Sequence, residues 1–176
     1  TALRRDPVPE AMKALEELLG VMATLRDPER GCPWDREQDF RSIVPHTLEE
    51  AYEVADAMER GDRAAMRDEL GDLLFQVVFY AQIAREEGSF DFDAVARGVV
   101  DKLIRRHPHV FGERRETTAA SQKATWEAIK AEERAARTGG DRPPSALDDV
   151  PLGLPALTRS RKLQSRAARV GFDWPE

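Results

Sequence analysis

The chain has 176 residues and a net charge of −6, with 41% hydrophobic and 34% charged residues. This composition is ordinary for a soluble globular protein, and the acidic balance argues against a surface that binds a nucleic acid polymer. The single cysteine excludes an internal disulfide and a cysteine-based zinc site. No apolar run could span a bilayer and the first residues lack a signal-peptide pattern, so we expect a cytoplasmic protein without a membrane partner.

Helical periodicity runs through most of the chain, and no segment alternates as a strand does, so the sequence predicts an all-α fold. The predicted helices cover residues 10–25, 47–60, 63–87, 92–106, 121–137 and 156–168. The second begins with Thr47 in a predicted capping box whose other partner is Glu50. Its predicted core stripe comprises Leu48, Ala51, Tyr52, Ala55 and Met58. The third is apolar almost all round after Leu73, so we expect it to be the buried central helix.

Composition also predicts the domain organisation. We expect a helical domain over 1–138, a linker over 139–155 that begins in a Gly- and Pro-rich stretch, and a helical tail over 156–176. The tail echoes the first helix and the turn that follows it, so we expect it to be the start of a second copy of the same unit.

Five carboxylates are the most informative residues of the chain. Glu49, Glu50 and Glu53 fit within an arc of about 100° on one predicted helix, and Glu69 and Asp72 lie roughly 60° apart on the next. If the two helices lie side by side, the five groups converge, and a cation would offset their repulsion. Oxygen ligands without His or Cys favour Mg²⁺, Mn²⁺ or Ca²⁺ over zinc.

Ordinary structural roles are the alternative for these acids. Glu50 could pair with Thr47 in the capping box, and Glu49 could favour the positive end of the helix dipole. Glu69 and Asp72 lead directly into the apolar run that starts at Leu73, which solubility alone does not explain. The spacing therefore leaves both a metal site and a solvated surface open.

Beside the five acids, the chain contains four further motifs: Gly31-Cys32-Pro33-Trp34-Asp35, Glu69-Leu70-Gly71-Asp72-Leu73-Leu74-Phe75-Gln76, Arg105-Arg106-His107-Pro108-His109-Val110-Phe111 and Val170-Gly171-Phe172-Asp173-Trp174. Together these motifs resemble the MazG family of nucleoside triphosphate pyrophosphohydrolases, whose wider relatives are the all-α NTP pyrophosphatases, including dimeric dUTPases. The resemblance covers most of the chain.

The resemblance implies Mg²⁺-dependent hydrolysis of an NTP or dNTP to the nucleoside monophosphate and pyrophosphate, with Mn²⁺ as a possible substitute. It implies metal ligation by Glu50, Glu53, Glu69 and Asp72, with Glu49 as a further ligand or a base. Such chemistry requires neutralised phosphate charge and an activated water, which a divalent cation supplies.

The resemblance also implies that Lys102, Arg105 and Arg106 bind the nucleotide, and that Trp126 and Lys130 touch its base or phosphates. The alternative for the three cations is a favourable charge effect at a helix C-terminus. The alternative for Trp126 is plain packing.

The leading hypothesis is an enzyme built as a MazG-type helical bundle that a homodimer completes, in which residues 1–138 form the first MazG unit and 156–176 begin a second. A catalytically weak MazG-like module that binds nucleotide or a partner protein is the alternative. A dUTPase of narrow specificity is a weaker option, because the motifs at 31–35 and 105–109 point away from it.

Overall fold

The computed structural model describes residues 10–112, 118–137 and 145–173, and these contain α-helices and no strand. The predicted all-α fold is therefore confirmed. The helices are α1 Glu10–Leu25, α2 Pro33–Glu37, α3 Val44–Arg60, α4 Arg63–Glu86, α5 Phe92–Arg106, α6 Pro108–Phe111, α7 Ala119–Arg137 and α8 Ala156–Ala168. The chain divides after Arg105 into an N-terminal and a C-terminal unit. No helix of the described ranges is long and apolar enough to cross a membrane.

A hairpin of α3 and α4 forms the centre of the N-terminal unit. Gly61 joins the two helices in the left-handed conformation, at φ 70°, and Asp62 caps α4 by accepting two backbone N–H bonds. Helix α1 packs against α4. The buried core comprises Met22, Ile43, Val78, Phe79 and Ile83. Among the described residues, half of the buried ones lie on α4, more than on any other helix, so its prediction as the central helix is confirmed.

The predicted capping box at Thr47 is wrong, because α3 begins three residues earlier, at Val44. Thr47 lies inside the helix, where its hydroxyl donates to the Ile43 carbonyl at 3.2 Å and lies 2.9 Å from the Tyr80 hydroxyl. Pro45 in the first turn suits a helix start, since its missing N–H would have no partner there. A partner 33 positions away could not be inferred from the local sequence.

The predicted core stripe of α3 is also wrong. All five residues are exposed; Leu48 is 51% exposed and Tyr52 60% exposed. The buried face of α3 contains Val54 and Ala57 instead. The apolar stripe of α3 therefore lies outward in the single chain. An exposed apolar stripe on α4 accompanies it, with Leu70, Leu74 and Val77 at helical spacing.

Arg26, at the end of α1, bonds to residues of both α2 and α4 in the N-terminal unit. Its guanidinium donates to both carboxylate oxygens of Glu86 at 2.7–3.0 Å. The same group donates to the carbonyls of Asp35 at 2.5 Å and Gln38 at 3.1 Å, and it lies 5.4 Å from the centre of the Phe79 ring. The short helix α2, which the sequence analysis treated as part of a turn, is held in place by these bonds.

In the C-terminal unit, α8 confirms the helix predicted at 156–168. Arg166 of this helix donates to the carbonyl of Asp148. The turn after α8 has Gly171 at φ 84°, and Trp174 of the predicted tail motif lies outside the described residues. The linker over 139–155 stays a prediction, and so does the interpretation of 156–176 as the start of a second copy of the unit.

Candidate metal centre

The α3–α4 hairpin brings carboxylates of both helices together. Glu50 comes from the middle of α3, and Glu69 and Asp72 come from successive turns of α4. One carboxylate oxygen from each lies within 4.8 Å of the other two. Glu50 and Glu69 are half-buried and Asp72 is exposed, so the group sits at the edge of the helix interface and remains open to solvent.

These three residues fit a divalent cation. Oxygen ligands lie 2.0–2.1 Å from Mg²⁺, so two ligands on opposite sides of the ion are about 4.2 Å apart. Small side-chain adjustments would bring the three oxygens of the cluster to that distance. The donor set is oxygen only, which suits Mg²⁺ or Mn²⁺, and it leaves further coordination positions for water or for phosphate oxygens.

The electrostatics of Glu50 agree with an uncompensated acidic cluster. Burial raises the pKa of Glu50, and the charges of Asp72 and Glu53 raise it further. A hydrogen bond with Glu53 adds to this shift, as does the charge of Glu69. Each effect favours the neutral acid, so the ionised cluster is strained without a counter-charge.

Glu69 shows the same behaviour from the other helix. Burial raises its pKa first, followed by the charges of Glu53 and Asp72. Asp68 also raises it, while Arg60, which is held in an ion pair with Asp56, opposes the shift. Both half-buried carboxyls of the cluster therefore bind their protons more tightly than isolated glutamates do.

Glu53 and Glu49 differ in their relation to this group. Glu53 is exposed, one turn after Glu50, and its charge contributes to the raised pKa of both Glu50 and Glu69. Glu49 is exposed and lies outside the group of three carboxylates. The structure thus brings together three of the five predicted acids and places a fourth beside them.

The predicted phosphate-binding cations lie at the end of α5. Lys102 is half-buried and Arg105 is exposed. Arg106 is paired with Glu133 of α7, with guanidinium–carboxylate distances of 2.5 and 3.2 Å and both side chains largely buried. A nucleotide phosphate would have to compete with Glu133 for this guanidinium.

Trp126 and Lys130 lie one turn apart on α7. The Lys130 ammonium is 4.5 Å from the centre of the Trp126 ring, a cation–π contact, and 3.5 Å from a carboxylate oxygen of Glu127. Glu127 also pairs with Arg169, beyond the end of α8. The face of Trp126 is therefore partly covered by Lys130.

Sequence reasoning assigned no role to one buried polar residue on the helix that carries Glu69 and Asp72. Gln76 on α4 is only 5% exposed, and its carboxamide oxygen has no hydrogen-bond partner among the described residues. In the sequence it stands only as the last residue of the motif that begins at Glu69. Its spacing from Glu69 and Asp72 was the available signal.

Comparison with known proteins agrees with this geometry. A family profile described as the MazG nucleotide pyrophosphohydrolase domain matches residues 38–111, which include both acid-bearing helices. Over 163 residues, the chain is 56% identical to the nucleoside triphosphate pyrophosphohydrolase of Escherichia coli K12. The chain belongs to the MazG family.

Two Thermotoga maritima proteins extend the comparison within the MazG family. The nucleoside triphosphate pyrophosphohydrolase/pyrophosphatase MazG of that organism is 45% identical over 167 residues. The crystal structure of a mazG-related protein from it aligns with a TM-score of 0.55 at 26% identity, and covers 66% of this chain and 98% of that chain. The alignments cover 93% of this chain but 60% of the E. coli relative, and 95% but 62% of the T. maritima sequence relative. The chain thus spans about three-fifths of those relatives.

Proposed function

We propose that this MazG chain catalyses metal-dependent hydrolysis of nucleoside triphosphates, NTP or dNTP, to the nucleoside monophosphate and pyrophosphate. The convergence of Glu50, Glu69 and Asp72 between α3 and α4 carries the proposal. In this reaction water cleaves the anhydride bond between the α and β phosphates. The hydroxyl of the water adds to one phosphorus, the bridging oxygen stays with the other, and one proton is released. The printed names of the E. coli and T. maritima relatives support the same activity. The expected location is the cytoplasm.

We assign the metal to Glu50, Glu53, Glu69 and Asp72, with Mg²⁺ as the cation and Mn²⁺ as a substitute. When bound, the cation neutralises phosphate charge and lowers the pKa of water. The raised pKa of Glu50 and of Glu69 supports this assignment, because a cation would relieve the repulsion that causes part of each shift. Glu49, beside Glu50 in sequence, is proposed as a further ligand or as the group that accepts the proton of the water.

The nucleotide itself is assigned to the cationic residues. Lys102, Arg105 and Arg106 would bind the phosphates, since charge-assisted hydrogen bonds to phosphate are strong. Trp126 and Lys130 would contact the base or phosphates, and the face of the indole would offer a stacking surface once Lys130 moves aside. Residues 1–138 would form this catalytic unit, with the linker and tail outside it.

A homodimer is part of the proposal. The apolar stripes of α3 and α4 are exposed in the single chain, and a second copy of the chain would cover them. Because Glu50 and Glu69 lie on the same two helices, a dimer built on these stripes would also hold the hairpin that forms the metal centre.

A product assay with a panel of NTPs and dNTPs tests the activity. With Mg²⁺ we expect nucleoside monophosphate and pyrophosphate, and with EDTA no turnover. Asp72→Asn should lower the rate at least about 100-fold, because the charge of one metal ligand is lost. Asp56→Asn is the matched control, since Asp56 is exposed on α3 and pairs with Arg60.

Two outcomes would contradict the proposal. One is an NDP with inorganic phosphate as the first products. The other is binding of nucleotide without any release of pyrophosphate, which would favour the alternative of a catalytically weak nucleotide-binding module.

A further inference from the structure

We propose that Gln76 is an uncharged member of the metal centre, whose carboxamide oxygen accepts a hydrogen bond from water carried by the bound cation. The inference rests on the metal dependence proposed above, and it concerns a residue outside the carboxylates assigned to the metal. Gln76 is 5% exposed, and its Oε1 has no partner among the described residues.

The position of Gln76 on α4 directs it toward the acids. At 100° per residue it lies about 20° from Glu69 and about 40° from Asp72 around the helix axis, between the two. Side chains of an α-helix lean toward its N-terminus, so the Gln76 side chain covers the turn that contains Asp72. Gln76 therefore shares one face of α4 with Glu69 and Asp72, and its unpartnered oxygen lies on the buried part of that face.

The neighbours along this strip cannot supply the missing donor. Toward the N-terminus of α4 lie ionised carboxylates, which only accept hydrogen bonds. One turn in the other direction lies Tyr80, whose hydroxyl is already paired with Thr47 of α3 at 2.9 Å. A buried acceptor without a donor is unfavourable by about 1–3 kcal/mol, so a donor from outside the protein is expected.

A hydrated divalent cation is the donor that fits this location. The four carboxylates assigned to the metal leave coordination positions on an octahedral Mg²⁺ for water, and water bound to a cation is a strong donor. Gln76 is well suited to accept from it because a carboxamide oxygen adds no charge to a cluster that already contains several acids. Its burial would also fix the direction in which that water points.

A Mn²⁺ titration without nucleotide, followed by electron paramagnetic resonance of the free ion, tests this inference. Mn²⁺ takes the same oxygen ligands as Mg²⁺. Gln76→Met keeps the length of the side chain and removes both polar atoms. Its apparent Kd for Mn²⁺ should rise about tenfold, as expected for loss of a group that supports metal ligands. Its melting temperature in EDTA should be no lower than that of the parent.

Gln82→Met is the matched control on the same helix, because Gln82 donates to Glu86 at 2.8 Å, away from the acids. A rise of less than threefold for Gln76→Met, or an equal rise in the control, would overturn the inference. If Gln76→Met does not fold, Gln76→Leu answers the same question. Because no nucleotide is present, failure here is separate from failure of the proposed hydrolysis.

Discussion

The charge of Glu53 acts on both half-buried acids of the cluster, as the charge of Asp72 also does. It raises the pKa of Glu50 on its own helix and of Glu69 on the next. It also lies at the exposed side of the cluster, so its charge can be removed with little loss of packing. This makes Glu53 the best probe of the repulsion among the carboxylates.

Glu53→Gln should raise the melting temperature in EDTA at neutral pH by about 2–5 °C, because one repelling charge is removed while the shape is kept. The same variant should gain less stability from Mg²⁺ than the parent does, since binding to the folded state stabilises by mass action. Calorimetric melting with EDTA and with Mg²⁺ measures both. Glu59→Gln, an exposed glutamate of the same helix, is the control and should change neither value.

The pH dependence follows from the same shifts. Glu50 and Glu69 have a folded-state pKa above the ordinary value of 4.5, so the folded state holds their protons more tightly than the unfolded state. Their contribution to stability is therefore greatest below pH 4.5 and is lost as the pH rises through the raised values. In EDTA, the gain from Glu53→Gln should be small at pH 4 and larger at pH 7. An equal gain at both pH values would contradict charge repulsion as its cause.

One ion pair, between Arg26 and Glu86, links α1 to α4, and Arg26 also bonds to the backbone at α2. The Arg26 side chain is 7% exposed and its Glu86 partner 36% exposed. Burial alone would raise the pKa of Glu86, but hydrogen bonds from Arg26 and Gln82 bring it below its ordinary value. The pair therefore stabilises the fold at neutral pH, and its contribution is lost as the pH falls through the lowered pKa.

Glu86→Ala should lower the free energy of unfolding by roughly 1–3 kcal/mol, less than a fully buried pair would lose because Glu86 is partly exposed. Urea denaturation at pH 7 measures the change. Glu87→Ala, the exposed neighbour at the end of α4, should change it by less than about 0.5 kcal/mol. An equal change in the free energy of unfolding for the two variants would show that the Arg26–Glu86 pair does not stabilise the fold.

The ion pair between α5 and α7 bears on nucleotide binding. If phosphates bind Arg106, they must displace Glu133, so Glu133→Gln should tighten nucleotide binding about three- to tenfold. Calorimetry with a slowly hydrolysed NTP analogue measures the affinity. Glu132→Gln, on the exposed side of α7, is the control. Weaker binding in Glu133→Gln would indicate that the pair positions α7 and does not compete with the substrate.

The sequence predicted most helices of this chain within a few residues, because their apolar spacing and end signals are local. The start of α3 was missed because Thr47 was taken as the cap, whereas Thr47 lies inside the helix and its hydroxyl is paired with Ile43 and Tyr80. The apolar stripe that contains Tyr52 was assigned to the core because periodicity shows which residues share a face, and cannot show whether this chain or a partner covers it.

The whole molecule, as a single chain, exposes apolar side chains on the neighbouring helices α3 and α4. The stripe of Leu70, Leu74 and Val77 on α4 accompanies the stripe on α3, and a homodimer would bury both. We expect the parent to sediment as a dimer, and Leu74→Arg to shift it toward monomer because a buried charge would lack a partner. Leu152→Arg, at a residue 83% exposed in the C-terminal unit, should remain dimeric. A monomeric parent would contradict the dimer.

The candidate site was predictable only in part. The spacing of Glu50, Glu69 and Asp72 identified the residues that the hairpin brings together, because helical geometry fixes which acids share a face. The pairing of Arg106 with Glu133 could not be predicted, since it joins two helices separated by a connecting segment. The unpartnered oxygen of Gln76 could not be predicted either, because the sequence does not show which donors surround a buried glutamine.

Phosphorus NMR of a reaction mixture tests whether the α3–α4 carboxylates direct hydrolysis of a nucleoside triphosphate. The parent with NTP and Mg²⁺ should produce resonances of a nucleoside monophosphate and pyrophosphate in equal amounts. Asp72→Asn should leave the triphosphate intact over the same time, and Asp56→Asn should match the parent. Resonances of NDP and inorganic phosphate as first products would contradict the proposed reaction. Full activity in Asp72→Asn would contradict the proposed role of the carboxylates.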